Sequence, residues 1–315
     1  MITLANVQEA RERIKDITKV TPIFTSEQLD GICGNNMFLK AEHLQKTGSF
    51  KIRGATNKVK QAVKEGATFI TAASSGNHGQ AVAYIANQLG IPACIVVPED
   101  ATRCKIEAIQ AYNGQIEKCG TTSAERIPRA IELAEERGGV FIPPYDDAFI
   151  MAGQGTVGLE ILQQVPDVDM ILVPVGGGGL ISGVLAAVKE SNPNVRVIGI
   201  EPDTANDTYL SLKANTITRI PPTSTIADGL RTSQPGDMTF PVLQKYLDDL
   251  LLVSEDEIRV ALKFIYERMK QVIEPSSAVT IAAAMNGKLN ETGKKVACVI
   301  SGGNVDVEQL STLLG

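Results

Sequence analysis

The sequence contains no tryptophan, only two histidines, and aromatic residues at 4% of its 315 positions. Lys+Arg 30 against Asp+Glu 36 gives a net charge of −6, so no basic footprint offers a surface to nucleic acid or to an anionic membrane. Long apolar runs are missing as well, and no stretch reaches the ~18 residues that spanning a bilayer demands. The N-terminal "MITLANVQEARERIKDI" breaks its apolar residues with charges and lacks the h-region of a signal peptide. Its Val7, Ala10, Ile14 and Ile17 fall instead at helical spacing. Five cysteines (Cys33, Cys94, Cys104, Cys119 and Cys298) stand singly with no CxxC pair, which argues against a zinc ribbon or a disulfide framework and makes the cytoplasm the expected compartment. With 43% hydrophobic residues the chain can bury a large core, and a small polar molecule is the expected ligand.

Short runs rich in β-branched residues recur at "FITAAS" (69–74), "ACIVVP" (93–98), "VFIPP" (140–144), "MILVPVG" (170–176), "VRVIGIEP" (195–202) and "VACVISGG" (296–303). Their apolar residues do not alternate with polar ones, which is the pattern of parallel strands buried on both faces. Helical patterns lie between them, among them "AVAYIANQLG", "AERIPRAIELAEERGG" and "GLISGVLAAVKESNP", each closing on Gly or Pro. The alternation predicts a doubly wound α/β chain without internal repeats or an obvious linker.

Ligands in open α/β sheets bind beyond the C-terminal ends of strands. Three glycine-rich turns occupy such places: "SSGNHG" (74–79), "VGGGGLISG" (175–183) and "SGGN" (301–304). The run Gly176–Gly179 passes from a strand into a helix, and bare N–H groups at a helix start can cradle a phosphate. It lacks both the Lys-Ser/Thr of a Walker loop and the GxGxxG spacing, and a tight turn needing positive φ accounts for it equally well. The stretch "KTGSFKIRGA" (46–55) has neither helical nor strand periodicity and carries two lysines, between which spacing alone does not choose.

Taken in order, "KTGSFKIRGA", "SSGNHGQA", "AGQGTVGLEI", "GGGGLISG" and "SGGN" resemble the fold-type II pyridoxal phosphate enzymes, specifically the serine racemases and the serine and threonine dehydratases. The resemblance covers nearly the whole chain. It implies two domains, each with a mostly parallel twisted sheet flanked by helices and the cofactor between them: a large domain of residues 1–64 and 148–315 and a small one of 65–147. It implies further that Lys51 bonds to pyridoxal 5'-phosphate and acts as the general base at Cα. Gly176, Gly177, Gly178 and Gly179 would hold the phosphate, Asn77 the ring hydroxyl, and Phe50 would pack on the ring. Ser301 would face the pyridine nitrogen, where a neutral hydroxyl, unlike an aspartate, does not force protonation and leaves a weaker electron sink suited to prompt loss of a β-leaving group. Ser74, Ser75, Asn77, His78 and Arg126 are the implied substrate residues. Ser75 matches the serine that exchanges a proton on the cofactor face opposite the lysine in the racemases; a carboxylate donor is the plainer role.

The resemblance extends to a Mg²⁺ or Ca²⁺ site at Glu201, the Ala205 carbonyl and Asp207, oxygen donors that suit a hard cation. It extends also to an ATP effector site at Lys46, Thr47, Gln80, Tyr112, Lys270 and Asn304, and to a homodimer. One departure stands out: "IPPYDD" (142–147) looks like the form in catabolic threonine dehydratases, which leaves the choice between serine and threonine open. The expected activity is serine racemisation with elimination from serine or threonine. The alternatives are a threonine or 3-hydroxyaspartate ammonia-lyase without useful racemisation, and a non-catalytic nucleotide-binding protein.

Overall fold

The computed structural model describes residues 1–101 and 103–314. Among the described residues, ten strands form two sheets. The larger is built from β1 (Ile23–Phe24), β2 (Asn36–Ala41), β7 (Met170–Pro174), β8 (Arg196–Pro202), β9 (Asp249–Val253) and β10 (Lys295–Ile300) in the order β1-β2-β10-β7-β8-β9. Only β1 runs antiparallel to its neighbour. The smaller contains β3 (Ile70–Ala73), β4 (Ala93–Val97), β5 (Gln115–Lys118) and β6 (Val140–Phe141) in the all-parallel order β5-β4-β3-β6.

The non-alternating strands are buried on both faces. In β7, Met170 and Leu172 enter one core, while Ile171 and Val173 enter the core on the opposite face of the same sheet. In β10, Val296, Cys298 and Ile300 divide from Ala297 and Val299 in the same way. Each such aliphatic side chain gains about 1.5–3 kcal/mol on leaving water, so the six-stranded sheet is held from both sides.

The helices in chain order are α1 (Leu4–Ile14), α2 (Glu27–Cys33), α3 (Lys51–Lys64), α4 (Asn77–Gln88), α5 (Arg103–Gln110), α6 (Ser123–Glu136) and α7 (Ala148–Gln164). They continue with α8 (Gly179–Ser191), α9 (Asp207–Ala214), α10 (Phe240–Tyr246), α11 (Glu255–Phe264), α12 (Pro275–Met285) and α13 (Leu310–Leu314). The N-terminal apolar spacing forms α1, which buries Val7, Ala10 and Ile14 but ends before Ile17. No described helix is long and apolar enough to cross a membrane.

The second half of "KTGSFKIRGA" departs from the sequence reading. Lys46–Gly48 is a 3₁₀ turn, and Lys51 opens the 14-residue helix α3. Phe50, at the cap position, makes no side-chain cap bond, so the usual Ser/Thr/Asp start signal is missing from the sequence. Tertiary contacts fix that start instead. Phe50 N donates to Ser301 O at 3.0 Å, Gly303 N to Gly48 O at 2.9 Å, and Gln154 Oε1 accepts from Gly54 N at 3.1 Å.

Helix α3 is pressed closely on α7. A Cβ on Gly153 would lie 2.6 Å from Gly54 Cα, and one on Gly183 of α8 would lie 2.2 Å from Met151 O of α7. The glycines of "AGQGTVGLEI" therefore serve close helix packing, which brings the backbone bearing Lys51 against a rigid pair.

Beneath α3 lies a buried quartet of charges. Arg53 donates to both Glu42 oxygens at 2.7 Å and to Glu160 at 2.7 and 2.9 Å, while Lys40 Nζ donates to Glu160 at 2.6 Å. Burial works against the charges of Arg53, Glu42 and Lys40. The mutual fields outweigh it for Arg53, raised above its usual value, and for Glu42, held below its usual range; burial prevails at Lys40, which is lowered.

Candidate active site

Strands β7 and β10 are neighbours and parallel, so the turns leaving their C-terminal ends lie side by side. With the turn after β3 they line one cavity of about 690 Å³. The structure brings into that cavity Phe50, Lys51, Ser74, Ser75, Asn77 and His78, together with Gly176–Gly179, Arg126 and Ser301.

Lys51 Nζ donates to Pro144 O at 2.8 Å and lies 5.3 Å from the Phe50 ring centroid. Burial lowers its pKa to about 8, with the charge of Glu274 pulling the other way. A lysine so tuned has a sizeable free-amine fraction near neutrality, as a nucleophile or base requires.

The glycine turn has to be bare. A Cβ on Gly177 would lie 2.5 Å from the Tyr145 ring, and Gly178 adopts φ +89° at the cap of α8. The backbone N–H groups of Gly176, Gly177 and Gly178 donate no hydrogen bond among the described residues, and they lie where the α8 dipole favours an anion.

On the opposite turn, Ser74 Oγ accepts from Gly76 N at 3.2 Å, while the Ser75 hydroxyl makes no hydrogen bond to the described residues. Asn77 is fixed from both ends: Asn304 Nδ2 donates to its Oδ1 at 2.7 Å, and its Nδ2 donates to Glu274 at 2.9 and 3.0 Å. His78 spends Nε2 on Ile142 O at 2.9 Å, and burial with the nearby Lys51 charge pushes its pKa down to about 3, so it stays neutral. Arg126 is half-buried and lines the cavity. Its Nη2 donates to Ser123 Oγ at 3.3 Å, and its buried Nε and Nη1 have no partner.

The other predicted clusters separate. Glu201 and Asp207 are fully buried and adjacent; Glu201 accepts from Thr208 N and Tyr209 N at 3.1 and 2.9 Å, and Asp207 from Thr232 Oγ1 at 3.3 Å. Burial raises Glu201 to about 8, reinforced by the Asp207 charge, and raises Asp207 to about 7. Ala205 is buried in the connecting turn. No group of three or more metal-ligating side chains gathers among the described residues, so backbone oxygens would have to complete any metal shell.

Of the six residues matched to a nucleotide site, Asn304 donates to Thr47 O at 2.7 Å and lines the cavity with Gln80. Lys46 Nζ lies 5.9 Å from the Tyr84 ring, which meets Tyr112 edge-on at 5.3 Å. Lys270 is exposed and bonds its own turn at Glu267 O.

Sequence reasoning missed two buried groups beside the site. Glu274 and Ser277, in "EPSSAV", read as an ordinary helix start with proline at its first position, and they open α12. Glu274 is pushed up to about 8 by burial and by the Asp228 charge. "IPPYDD" resolves into separate tasks: Tyr145 faces the cavity, Asp146 accepts from the N–H groups of residues 237–239, and Asp147 caps α7 and pairs with Lys58 at 2.6 Å.

The family model described as pyridoxal-phosphate dependent enzyme matches residues 14–302. The chain belongs to that family. It is 43% identical over 315 residues to the L-threonine ammonia-lyase of Thermotoga maritima, covering 100% of this chain and 78% of that one. It is 43% identical over 314 residues to the serine racemase of Homo sapiens, covering 97% and 92%. The structure of maize serine racemase superposes with a TM-score of 0.95 at 39% identity, covering 99% of this chain and 96% of that chain. The fold is thus that of a fold-type II enzyme, and a non-catalytic nucleotide binder is set aside.

Proposed function

We propose that the chain is a serine racemase that also eliminates water from serine or threonine, releasing ammonia with pyruvate or 2-oxobutanoate. The observation that carries the reading is one cavity lined by two candidate proton-transfer groups from separate elements: Lys51, lowered to about 8, and Ser75, whose hydroxyl is unengaged among the described residues. Racemases and ammonia-lyases stand at the same 43% identity, so this site feature rather than similarity favours racemisation.

The residues fit pyridoxal 5'-phosphate. A turn that tolerates no Cβ offers free N–H groups to a phosphate, and Lys51 is a buried amine beside Phe50. Bound there, the cofactor supplies an electron sink for the substrate's Cα. Lys51 removes or returns the Cα proton on one face and Ser75 does so on the other; Ser74, Ser75 and Asn77 surround the α-carboxylate at the start of α4, with His78, its one N–H donated to Ile142 O, in the wall beside them. Gly176–Gly179 would hold the phosphate, Asn77 the ring hydroxyl and Ser301 the ring nitrogen.

Arg126 supports a second reading. Its unpartnered Nε and Nη1 suit a further carboxylate, as in 3-hydroxyaspartate. We also propose that Glu201, Ala205 O and Asp207 hold Mg²⁺ or Ca²⁺, since a cation would relieve the repulsion between two buried carboxylates. Lys46, Thr47, Gln80, Tyr112, Lys270 and Asn304 are proposed to bind ATP, with Asn304 linking that region to Asn77. The protein is read as a cytoplasmic homodimer. Its division into 1–64 with 148–315 and 65–147 draws support from the strands of the small sheet, which all fall between 70 and 141.

Chiral chromatography of products from L-serine, L-threonine and 3-hydroxyaspartate tests the reading. D-serine should form from L-serine, and Ser75→Ala should suppress its formation at least ~100-fold while elimination from L-serine falls much less. Elimination products without D-serine would leave an ammonia-lyase.

A further inference from the structure

Neither Gly177 nor Gly178 carries a Cβ, so the peptide group between them can turn over at little steric cost, and its two orientations present opposite dipoles to the cavity that both residues line. Something has to hold one of them. In a trans peptide the carbonyl and the following N–H point in opposite directions, so wherever Gly177 O is drawn, the Gly178 N–H faces the other way. The structure draws Gly177 O away from the cavity. Thr239 Oγ1 lies 2.8 Å from it and Gly236 N donates to it at 3.3 Å, and Thr239 is a fully buried residue at the cap of α10, behind the glycine turn rather than in the cavity wall. These contacts have a fixed polarity. The Gly236 N–H can only donate, and it meets Thr239 Oγ1 at 2.9 Å; the two carbonyls near that oxygen, Gly177 O at 2.8 Å and Gly236 O at 3.2 Å, can only accept. The single Thr239 proton goes to Gly177 O, which stands at the normal O–H···O length, while Gly236 O has its own donor in Phe240 N at 3.0 Å.

We propose that Thr239 is a positioning residue for the cofactor's phosphate: by holding Gly177 O away from the cavity, its hydroxyl keeps the Gly178 N–H turned toward the anion. The proposal rests on the reading that Gly176–Gly179 hold that phosphate. Without the hydroxyl the peptide is free to turn over, and a carbonyl oxygen then faces the anion where an N–H stood. The same contact accounts for the bare position beside it, since a Cβ on Gly178, at φ +89°, would lie 2.8 Å from Thr239 Oγ1. Thr239 is itself held in place. The Asp146 carboxylate accepts from the N–H groups of Asp237, Met238 and Thr239 at 3.1, 2.8 and 3.2 Å. Asp146 stands two positions after Pro144, whose carbonyl receives Lys51, so one short segment anchors both the phosphate turn and the lysine.

The test resolves the holoenzyme of its cofactor and titrates it back with pyridoxal 5'-phosphate and, in parallel, with pyridoxal, which lacks the phosphate. Thr239→Val keeps the shape and removes the hydroxyl; it should weaken pyridoxal phosphate by about 10-fold, the equivalent of one hydrogen bond, and leave pyridoxal within ~2-fold of the parent. Thr239→Ser restores the donor and should restore the parental ratio of the two affinities. If the valine variant folds poorly, Thr239→Ala removes the same donor and gives the same comparison. An unchanged ratio in the variants lacking the hydroxyl, whether both ligands bind as in the parent or both weaken together, overturns the proposal, as does a serine variant as weak as the valine one. A parent protein that binds pyridoxal phosphate no more tightly than pyridoxal overturns the phosphate reading with it.

Discussion

At the residue scale, the site depends on groups held away from their ordinary protonation states. Glu274 is the clearest case, because its folded pKa of about 8 lies above the ordinary 4.5. The folded protein then binds a proton that the unfolded chain releases, so its stabilising share is fully present below pH ~4.5 and is lost as pH rises to ~8. Glu274→Gln should remove that loss, making the cofactor-free variant gain on the parent in thermal unfolding as pH rises from ~5 to ~8. A constant difference across that range would show that Glu274 is ionised and paired. Residue-level legibility was uneven. Lys51 and Ser75 could be singled out because their neighbours are motif residues, and both line the cavity, whereas Glu274 and Ser277 come beside it through contacts that only the folded chain creates.

At the scale of elements, the placement of α3 governs where Lys51 points, and the buried quartet under it is the strongest local constraint. Glu160 pairs with both Arg53 and Lys40, and together with Glu42 it balances their two charges in a buried region. Removing one carboxylate leaves a surplus buried cation, so Glu160→Gln should cost about 3–5 kcal/mol, read as a lower denaturant midpoint. A loss below ~1 kcal/mol would place the quartet in the class of solvated ion pairs. The same quartet explains part of what the sequence concealed. Strand β2, "NMFLKA", carries Lys40, a charge that breaks an apolar pattern unless its partners 120 and 124 positions away are known. β5, "QIEK", is a half-exposed edge strand, and the start of α3 has no capping side chain. By contrast, β7 and β10 were legible, because burial on both faces leaves an unbroken apolar run.

At the scale of the whole molecule, three turns spread over more than 200 residues of chain converge on one cavity because β7 and β10 are adjacent and the small sheet presents the end of β3 to them. The proposed metal site lies at the C-terminal end of β8, and its two buried carboxylates should make the fold sensitive to cation supply. Chelation should lower the thermal midpoint, Mg²⁺ or Ca²⁺ should restore it, and the pair Glu201→Gln with Asp207→Asn should abolish the response. A parent protein indifferent to chelator would leave the pair as protonated core carboxyls. Borohydride reduction of the holoenzyme followed by peptide mapping tests the proposal that this cavity carries pyridoxal phosphate on Lys51. The reduced adduct should map to Lys51, persist in Lys46→Ala and vanish in Lys51→Ala; an adduct mapped to Lys46, or none at all, would contradict it.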